Sequence, residues 1–294
     1  MAVARVATGV AGSACFGVSL AICADVVREE KRGRAASVVI AGLMLATVLG
    51  VPMATIIDQY LGWRASFWLV VALAVLCAMA IGLLIPKSRA GGAIGLGEEL
   101  AEFRNRHLWA AYATSGLIIG ATFAAFSYFA PILTQITGFS VASIPWLLGS
   151  YGAANVIGNM VVGRYADRYT IPIMMWGLLI LAAALALLAV FAGGKIPAVA
   201  LILVIGLVGV PMNPAMIARV MKTARPGPLV NTVHTSVINI GLGVGAWGGG
   251  LGISSGYGLL SPLWVGVVLA VLGFLSLLPY AFKPRLAAVT VRRH

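Results

Sequence analysis

Side chains that could carry a proton are rare in this chain, and nearly all lie outside its apolar stretches. Every carboxylate lies at the end of an apolar run or between runs: Asp25, Glu29, Glu30, Asp58, Glu98, Glu99, Glu102 and Asp167. His234 is the one imidazole near the middle of a run. Moving a proton in an apolar setting requires an acid or a histidine whose pKa lies in the working range. His234 is therefore a candidate proton carrier, and a neutral histidine bonded to a neighbouring helix is the alternative.

Residues suited to metal binding or covalent catalysis do not gather anywhere in the sequence. Cys15, Cys23 and Cys77 each lie inside an apolar run, without the spacing of a metal site or a disulfide framework. An enzyme embedded in a membrane would need His, Asp, Glu or Cys concentrated at one depth. We therefore predict no catalytic residue, no metal site and no enzymatic activity.

The apolar runs themselves predict membrane-spanning helices. Hydrophobic residues make up 61% of the 294 residues and charged residues 10%, and the mean hydropathy is +1.02. A helix needs about 20 apolar residues to cross a bilayer. Nine runs of that length are present, near residues 3–27, 35–57, 65–85, 108–131, 143–163, 170–192, 197–217, 229–253 and 261–282. The sequence therefore predicts an all-α membrane protein with nine transmembrane helices.

Basic residues alternate from one side of these runs to the other. Of the nineteen Lys and Arg residues between or after the runs, seventeen fall in every second segment, and Arg219 is counted there, just beyond the seventh run. Basic loops remain in the cytoplasm, so the N-terminus is predicted outside and the C-terminus in the cytoplasm. The net charge of +12 is spread over these loops. This distribution favours membrane lipids as partners and argues against nucleic acid.

A self-match divides the chain into bundles. Residues 68–77 match residues 264–273 at six of ten positions. This predicts a first bundle ending with residues 1–85, a cytoplasmic linker with a short amphipathic helix at 86–107, a six-helix bundle at 108–282 and a cytoplasmic tail at 283–294. Transporters are commonly built from repeated triplets of helices, and on that logic roughly 90 residues with three further spans would precede Met1. The odd number of spans leads to the same expectation.

Three motifs combine charged or small residues with membrane spans. Arg5 lies in the first run and is followed by Gly9 and Gly12; an arginine there faces a partner or a wet cavity, or reaches back to the outer surface. Gly42, Gly50 and Pro52 in the second run allow close helix approach and a bend. The third motif lies at the end of the fifth run and comprises Gly158, Gly163, Arg164, Asp167 and Arg168.

Together these motifs resemble the major facilitator superfamily, specifically its twelve-span drug:proton antiporters. Arg5 is similar to the arginine of the family's fourth-span motif, and Gly42, Gly50 and Pro52 resemble its antiporter motif, although Ala54 stands where glycine is more usual. The third motif resembles the second-half copy of the cytoplasmic loop motif. That likeness implies that its charged residues pair with one another and with helix ends. Asp25 is similar in position to an acid that pairs with the first-half loop.

The overall likeness is to bacterial chloramphenicol-type exporters and to sugar and nucleoside efflux proteins. It implies export by proton antiport and alternating access, with no cofactor besides the proton gradient. It also implies a monomer in the bacterial plasma membrane that binds a small-molecule substrate. Arg5, Asp25 and His234 become candidates for proton coupling or charge relay. A sugar or nucleoside permease and a non-transporting truncated fragment remain the alternatives.

Aromatic and amide side chains within the spans are candidates for a substrate cavity. An aromatic wall with a few amides suits a small amphipathic solute, and packing or hydrogen bonds between helices are the alternative role. The candidates are Phe123, Phe126, Ser127 and Tyr128 on the fourth span, Asn155 on the fifth, Asn213 on the seventh, and Asn231 and Asn239 on the eighth.

Overall fold

A computed structural model describes residues 45–84, 96–224 and 227–281, together with Ala11, Gly12, Cys15 and Gly42. These residues form helices and turns, with no β-strand among them, so the all-helical prediction is confirmed for this part of the chain. Arg5 and Asp25 lie outside the described residues, and their roles stay predictions.

The first described helices belong to the predicted second and third spans. A π-helical turn at Ala46–Gly50 leads into helix α1 (Val51–Leu61), and helix α2 is Trp63–Leu84. Pro52 lies in the first turn of α1, where its missing N–H breaks no helical hydrogen bond. Gly62 reverses the chain between the two helices with a positive φ of 79°, a conformation that favours glycine.

The remaining helices form the second bundle. Helix α3 is Leu96–Glu102 in the predicted linker, α4 is Arg106–Phe126, α5 is Phe129–Gln135, α6 is Ile144–Tyr165, α7 is Thr170–Phe191, α8 is Lys195–Val208, α9 is Asn213–Thr223, α10 is Pro228–Gly252 and α11 is Ser261–Ala281. Two predicted spans are broken. The fourth divides into α4 and α5, and the seventh, predicted at 197–217, extends from α8 to α9 around a 3₁₀ turn at Val210–Met212.

Six helical stretches among the described residues are long and apolar enough to cross a membrane. They are Trp63–Leu83, Arg106–Gln135, Thr170–Phe191, Lys195–Thr223, Leu229–Tyr257 and Ser261–Ala281. Helix α6 has comparable length but is more polar because it contains Asn155, Asn159 and several glycines. The first predicted span lies almost entirely outside the described residues, as does the first part of the second, so the number nine stays a prediction.

The core of the second bundle is formed by large apolar side chains from α4, α5, α7 and α8. Ile118, Phe129, Leu178, Leu185 and Ile205 are completely buried. Helix α2, in contrast, has no buried residue between Trp63 and Leu83. Apolar side chains that face the bilayer are exposed when the protein is considered without its lipid. The buried core of the second bundle and the exposed surface of α2 are therefore both expected of a membrane protein.

Glycine residues bring the backbones of α4 and α10 into direct contact. Gly116 and Gly120 on α4 face Gly241 and Gly245 on α10, and the members of each pair are four positions apart in the sequence. A Cβ added at Gly120 would lie 3.1 Å from the carbonyl oxygen of Gly241, and one added at Gly245 would collide with the carbonyl of Gly120. Small residues spaced in this way are typical of closely packed membrane helices. We call this contact the glycine seam.

Side-chain hydrogen bonds join the helices at one end of the second bundle. Asn105 caps α4 by accepting from the His107 backbone N–H at 2.9 Å, and its Nδ2 donates to the Thr223 carbonyl at the end of α9 at 2.9 Å. Glu99 on α3 accepts from the backbone N–H of Leu229 at the start of α10 at 3.1 Å. The exposed basic residues of this end are Arg104, Arg106, Arg164, Arg168 and Lys222. We call it the basic end, and the charge distribution predicts that it is cytoplasmic.

Helices α1 and α6 run antiparallel and connect the first bundle to the second. A Cβ added at Gly149 on α6 would lie 3.3 Å from Cγ of Pro52. Further along, Gln59 Nε2 donates to the Val141 carbonyl at 2.9 Å. A Cβ at Gly42 or Gly50 would meet no atom of the described residues within 4 Å. The close approach expected of this motif is therefore made by Pro52 against a glycine of the other bundle.

The glycine seam predicts that two glycines on α10 differ sharply in their tolerance of alanine. Gly245→Ala forces the two backbones apart and should lower the free energy of unfolding by about 1–3 kcal/mol. Gly243→Ala is the matched control, because its Cβ meets nothing within 4 Å, and alanine should stabilise the helix by about 0.5–1 kcal/mol. The thermal unfolding of both purified variants tests this. Equal unfolding temperatures would contradict the seam.

Candidate functional site

Two spans of the second bundle are broken: the break at Gly209 lies near the middle of Lys195–Thr223, and the break at Ser127 lies nearer the end of Arg106–Gln135. Proline removes a backbone donor, and its ring clashes with the carbonyl four residues earlier. Pro131 in α5 therefore disfavours a continuous helix at Ser127, where α4 ends. Pro211 has the same effect at Leu207, one residue before the end of α8. Broken helices near the middle of a membrane are typical of transport sites because they leave backbone groups free for binding.

Helix α6 packs directly against the second break. A Cβ at Gly158 would collide with the Leu207 carbonyl and lie 2.8 Å from Cγ of Pro211. About two turns earlier on α6, the Tyr151 carbonyl oxygen would lie 3.0 Å from a Cβ added at Gly206 of α8. Gly158, predicted as part of the loop motif, therefore also determines how closely α6 approaches the break.

Aromatic rings line α4, α5 and α6 beside this contact. Phe123 and Phe126 lie with ring centroids 5.5 Å apart. Phe126 stacks on Tyr151 at 5.0 Å, and the Phe129 ring lies 5.7 Å from the same tyrosine in an edge-on geometry. These four rings form one continuous wall, which we call the aromatic wall.

Three buried polar atoms near the aromatic wall and the break have no hydrogen-bond partner among the described residues. They are Tyr151 Oη, Asn155 Oδ1 and Asn213 Oδ1. The Asn155 amide donates from Nδ2 to the Tyr151 carbonyl at 3.1 Å, which fixes its oxygen on the opposite side. A buried acceptor left unpaired costs about 1–3 kcal/mol. Tyr151 and Asn155 lie one turn apart on α6, so their unpaired atoms are suited to form hydrogen bonds with one ligand.

The other predicted cavity residues lie elsewhere. Tyr128 donates its hydroxyl to the Ala246 carbonyl at 3.0 Å and so connects α4 to α10. Asn231 lies in the first turn of α10 at the basic end, and Asn239 is exposed. Of the predicted set, the structure therefore brings Phe123 and Phe126 together beside the helix that carries Asn155, with Asn213 at the end of the break.

His234 lies between α4 and α10, away from the aromatic wall. It is buried, its Nε2 lies 2.9 Å from Ser115 Oγ, and its ring stacks on Tyr112 at 5.5 Å. Tyr112 in turn donates to the Val230 carbonyl at 2.7 Å. This geometry matches the alternative of a histidine bonded to a neighbouring helix. Whether His234 also carries a proton stays a prediction.

Arg219 is a buried cation that the sequence analysis placed in a loop. It lies within α9 and is 5% exposed. Its Nη1 donates to Thr114 Oγ1 at 2.8 Å, and its Cζ lies 4.7 Å from the centroid of the Tyr280 ring. Its Nη2 has no hydrogen-bond partner among the described residues. A buried charge in a membrane is costly and marks a functional position by default.

Three helices converge on Arg219. Thr114 Oγ1 on α4 lies 2.7 Å from Ser276 Oγ on α11. Tyr280 Oη, one turn further along α11, lies 3.0 Å from His107 Nδ1. We call Arg219, Thr114, Ser276, Tyr280 and His107 the arginine cluster. Among the described residues, the cation is thus held by the Thr114 hydroxyl group and the face of the Tyr280 ring.

The predicted loop motif is joined to the bundle differently from the expectation. Arg164, Asp167 and Arg168 are all exposed, and no ion pair among these three is present in the described structure. Exposed pairs gain little in free energy because water screens them. The connection is made by Lys222, whose Nζ donates to the Asp167 carbonyl and, at 2.8 Å, to Thr170 Oγ1. Gly163 lies close to Pro214 of α9, with a Cβ-to-Cγ distance of 4.0 Å.

The sequence contained signals for two residues that were missed. Tyr151 lies four residues before Asn155, on the same face of a helix. Arg219 lies 194 residues after Asp25, within two residues of the 196-residue offset of the self-match, so the two charged residues have similar positions in the internal repeat. A charged residue ends an apolar run, and for that reason Arg219 was placed in a loop.

Comparison with known proteins gives concordant matches. The family model described as Major Facilitator Superfamily matches residues 1–233 and 112–292. The uncharacterized MFS-type transporter YtbD of Bacillus subtilis is 30% identical over 91% of this chain and 69% of its own length. The chloramphenicol resistance protein of Streptomyces lividans is 30% identical over 94% and 72%. The inner membrane transport protein YdhP of Escherichia coli strain K12 is 30% identical over 95% and 72%.

Two solved structures share the fold at low sequence identity. The MFS transporter FucP in its outward conformation has a TM-score of 0.55 and 15% identity, over 96% of this chain and 83% of that one. A bacterial homologue of the lysosomal transporter Spinster in an inward-facing conformation has a TM-score of 0.52 and 14% identity, over 88% and 73%. At these identities the likeness concerns the fold alone.

The arginine cluster predicts energetic coupling between Thr114 and Arg219. Thr114→Val leaves the Arg219 guanidinium without its acceptor and should cost about 1–3 kcal/mol of unfolding free energy. In an Arg219→Met background the same change should cost clearly less, because no cation then needs the hydroxyl. Chemical unfolding of the four purified proteins gives this double-mutant cycle.

Thr134→Val is a matched control, since Thr134 Oγ1 bonds only carbonyls of its own helix segment. Its cost should be the same with and without Arg219. Equal costs for Thr114→Val in both backgrounds would mean that the hydroxyl does not support the cation.

Proposed function

The chain belongs to the major facilitator superfamily, and on that premise we propose that it exports a small amphipathic compound of the chloramphenicol type in exchange for protons. Members of this superfamily are membrane transporters and not enzymes. The proposal concerns the substrate class, the direction of transport and the coupling to protons.

The observation that carries the proposal is the set of unpaired polar atoms beside the aromatic wall. Tyr151 Oη, Asn155 Oδ1 and Asn213 Oδ1 offer hydrogen bonds within an apolar surrounding. Phe126 and Phe129 provide flat apolar surface at the same place. A small compound with an aromatic body and several hydroxyl or amide groups is complementary to both features. The name of the Streptomyces relative, a chloramphenicol resistance protein, supports the same class of substrate.

We further propose alternating access by rocking of the two bundles, in a nine-span chain whose C-terminus is cytoplasmic. The contact of Pro52 with Gly149 is narrow, and glycine lets α1 pivot against α6 without a side chain in between. The predicted location is the bacterial inner membrane, where apolar helices and a basic cytoplasmic side are expected. A monomer contains both bundles and is sufficient for this motion.

Removing one hydroxyl group tests the substrate site. Tyr151→Phe preserves the ring stacking on Phe126 and deletes only the unpaired Oη, so folding should be unaffected or slightly improved. Export of chloramphenicol from cells expressing the full-length protein should fall about 5- to 10-fold, the value of one lost hydrogen bond. Tyr257→Phe is the control, because Tyr257 is 80% exposed and far from the aromatic wall. Accumulation of labelled drug in the cells is the measurement.

The same assay decides among the alternatives. Unchanged export by the Tyr151→Phe variant would show that the Tyr151 hydroxyl group does not bind the substrate. Export of labelled sugars or nucleosides but not of chloramphenicol would favour the alternative permease. A correctly folded protein that moves none of these compounds would favour the non-transporting fragment.

Substitution of the buried histidine tests proton coupling. His234→Gln can preserve a hydrogen bond to Ser115 but cannot take up a proton near neutral pH. If His234 is the carrier, uphill export driven by an imposed proton gradient in vesicles should stop, while exchange of labelled for unlabelled substrate continues. His107→Gln at the basic end is the matched control.

Full uphill export by His234→Gln would exclude this residue as the carrier. Export by the unmodified protein that is insensitive to a proton ionophore would exclude proton antiport altogether.

A further inference from the structure

An apolar groove lies between the end of α6 and the start of α7, on the side of the second bundle that faces away from its core. Its volume is about 380 Å³. Val161 and Tyr165 of α6 form one wall, and Pro172 and Trp176 of α7 form the other. Tyr169, in the turn between the helices, lines the end of the groove. Val161 is 56% and Trp176 66% exposed, so the groove is open on the side that faces away from the core of the bundle.

One end of this groove is formed by the loop between α6 and α7, and cationic side chains lie next to that end. Arg164 directly precedes Tyr165 and is exposed, and the guanidinium carbon of Arg168 lies 5.2 Å from the centroid of the Tyr169 ring. Neither arginine has a carboxylate partner among the described residues. Lys222, bonded to the backbone of Asp167, adds a third positive charge.

The only acid in the loop is Asp167, which is also exposed. With Arg164, Arg168 and Lys222 around it, the surface at this end of the groove has a net positive charge. A groove that is wholly apolar along its length and cationic at one end has the polarity of a phospholipid, whose acyl chain is apolar and whose headgroup is charged.

The predicted position of the groove in the membrane is consistent with a bound phospholipid. The loop belongs to the basic end of the bundle, and tyrosine side chains are typical of the level where lipid headgroups begin. Basic pockets between transmembrane helices on the cytoplasmic side are suited to anionic headgroups. A free phosphate ion would use the arginines and leave the groove empty.

We propose that this groove binds one anionic phospholipid of the cytoplasmic leaflet. One acyl chain lies between Val161 and Trp176, and the phosphate of the headgroup contacts Arg164 and Arg168. The lipid therefore bridges α6 and α7 at the loop whose charged residues are not paired with one another. This site is separate from the aromatic wall and does not depend on the transported substrate.

Lipid binding to the purified full-length protein tests the proposal by native mass spectrometry in detergent. The probes are phosphatidylglycerol and phosphatidylcholine with identical acyl chains. The unmodified protein should prefer phosphatidylglycerol by on the order of tenfold. Arg164→Gln combined with Arg168→Gln should abolish this preference, and the control pair Arg104→Gln with Arg106→Gln, which removes the same charge from the same end, should preserve it.

The groove is tested separately with Val161→Trp, which fills it and leaves both arginines in place. This variant should lose binding of both lipids. The control is Val190→Trp, which introduces the same side chain at a similarly exposed position of α7 outside the groove, and it should bind both lipids normally. Equal binding of the two lipids by the unmodified protein would overturn the headgroup contact. Complete displacement of lipid by inorganic phosphate, together with normal binding by Val161→Trp, would indicate an anion site without an acyl chain and overturn the groove.

Discussion

Direct backbone contact between α4 and α10 is the constraint on which the second bundle depends. A Cβ added at Gly241 would collide with the backbone of Gly116, and one added at Gly245 would collide with that of Gly120, so no larger residue fits at either position on α10. Three long-range hydrogen bonds cross the same seam and require this separation: Tyr112 to Val230, His234 to Ser115, and Tyr128 to Ala246. In lipid there is no hydrophobic force between helices, so close packing and such bonds must supply the stability. The placement of His234 is therefore a consequence of the glycines.

The polar groups of the bundle divide into two kinds. The side chains of Tyr112, Tyr128 and His234 along the glycine seam are paired, because an unpaired group in an apolar medium costs free energy that nothing else recovers. Those beside the aromatic wall are not paired, although Tyr151 and Asn155 are buried. A bundle that satisfies its polar atoms elsewhere and leaves them free at one broken helix has the means to bind a solute there. Arg219 belongs to neither kind, since only part of its guanidinium is bonded.

The sequence predicted the helices well and their interruptions poorly. Apolar runs locate α7 and α11 within one or two residues because span length is a physical requirement of the bilayer. The breaks at Ser127 and Gly209 were not predicted, since Pro131 and Pro211 lie inside apolar runs whose hydropathy they barely change. Arg219 was placed in a loop because burial of a cation depends on partners from distant helices, and no local pattern shows them. The contact of the predicted loop motif with Lys222 was missed for the same reason, because this lysine comes from another helix.

The glycines that form the seam also bear on how the chain enters the membrane during synthesis. The stretch Leu229–Tyr257 has a mean hydropathy of 1.3, the lowest of the six apolar stretches, because glycine replaces larger apolar side chains along it. A segment of such weak apolarity partitions into lipid with little driving force of its own. Its receptor, α4, precedes it by more than a hundred residues and is therefore already synthesised when α10 emerges from the ribosome. Insertion of α10 is thus a docking event onto an earlier helix, and the order of the helices in the gene is part of how this membrane protein assembles.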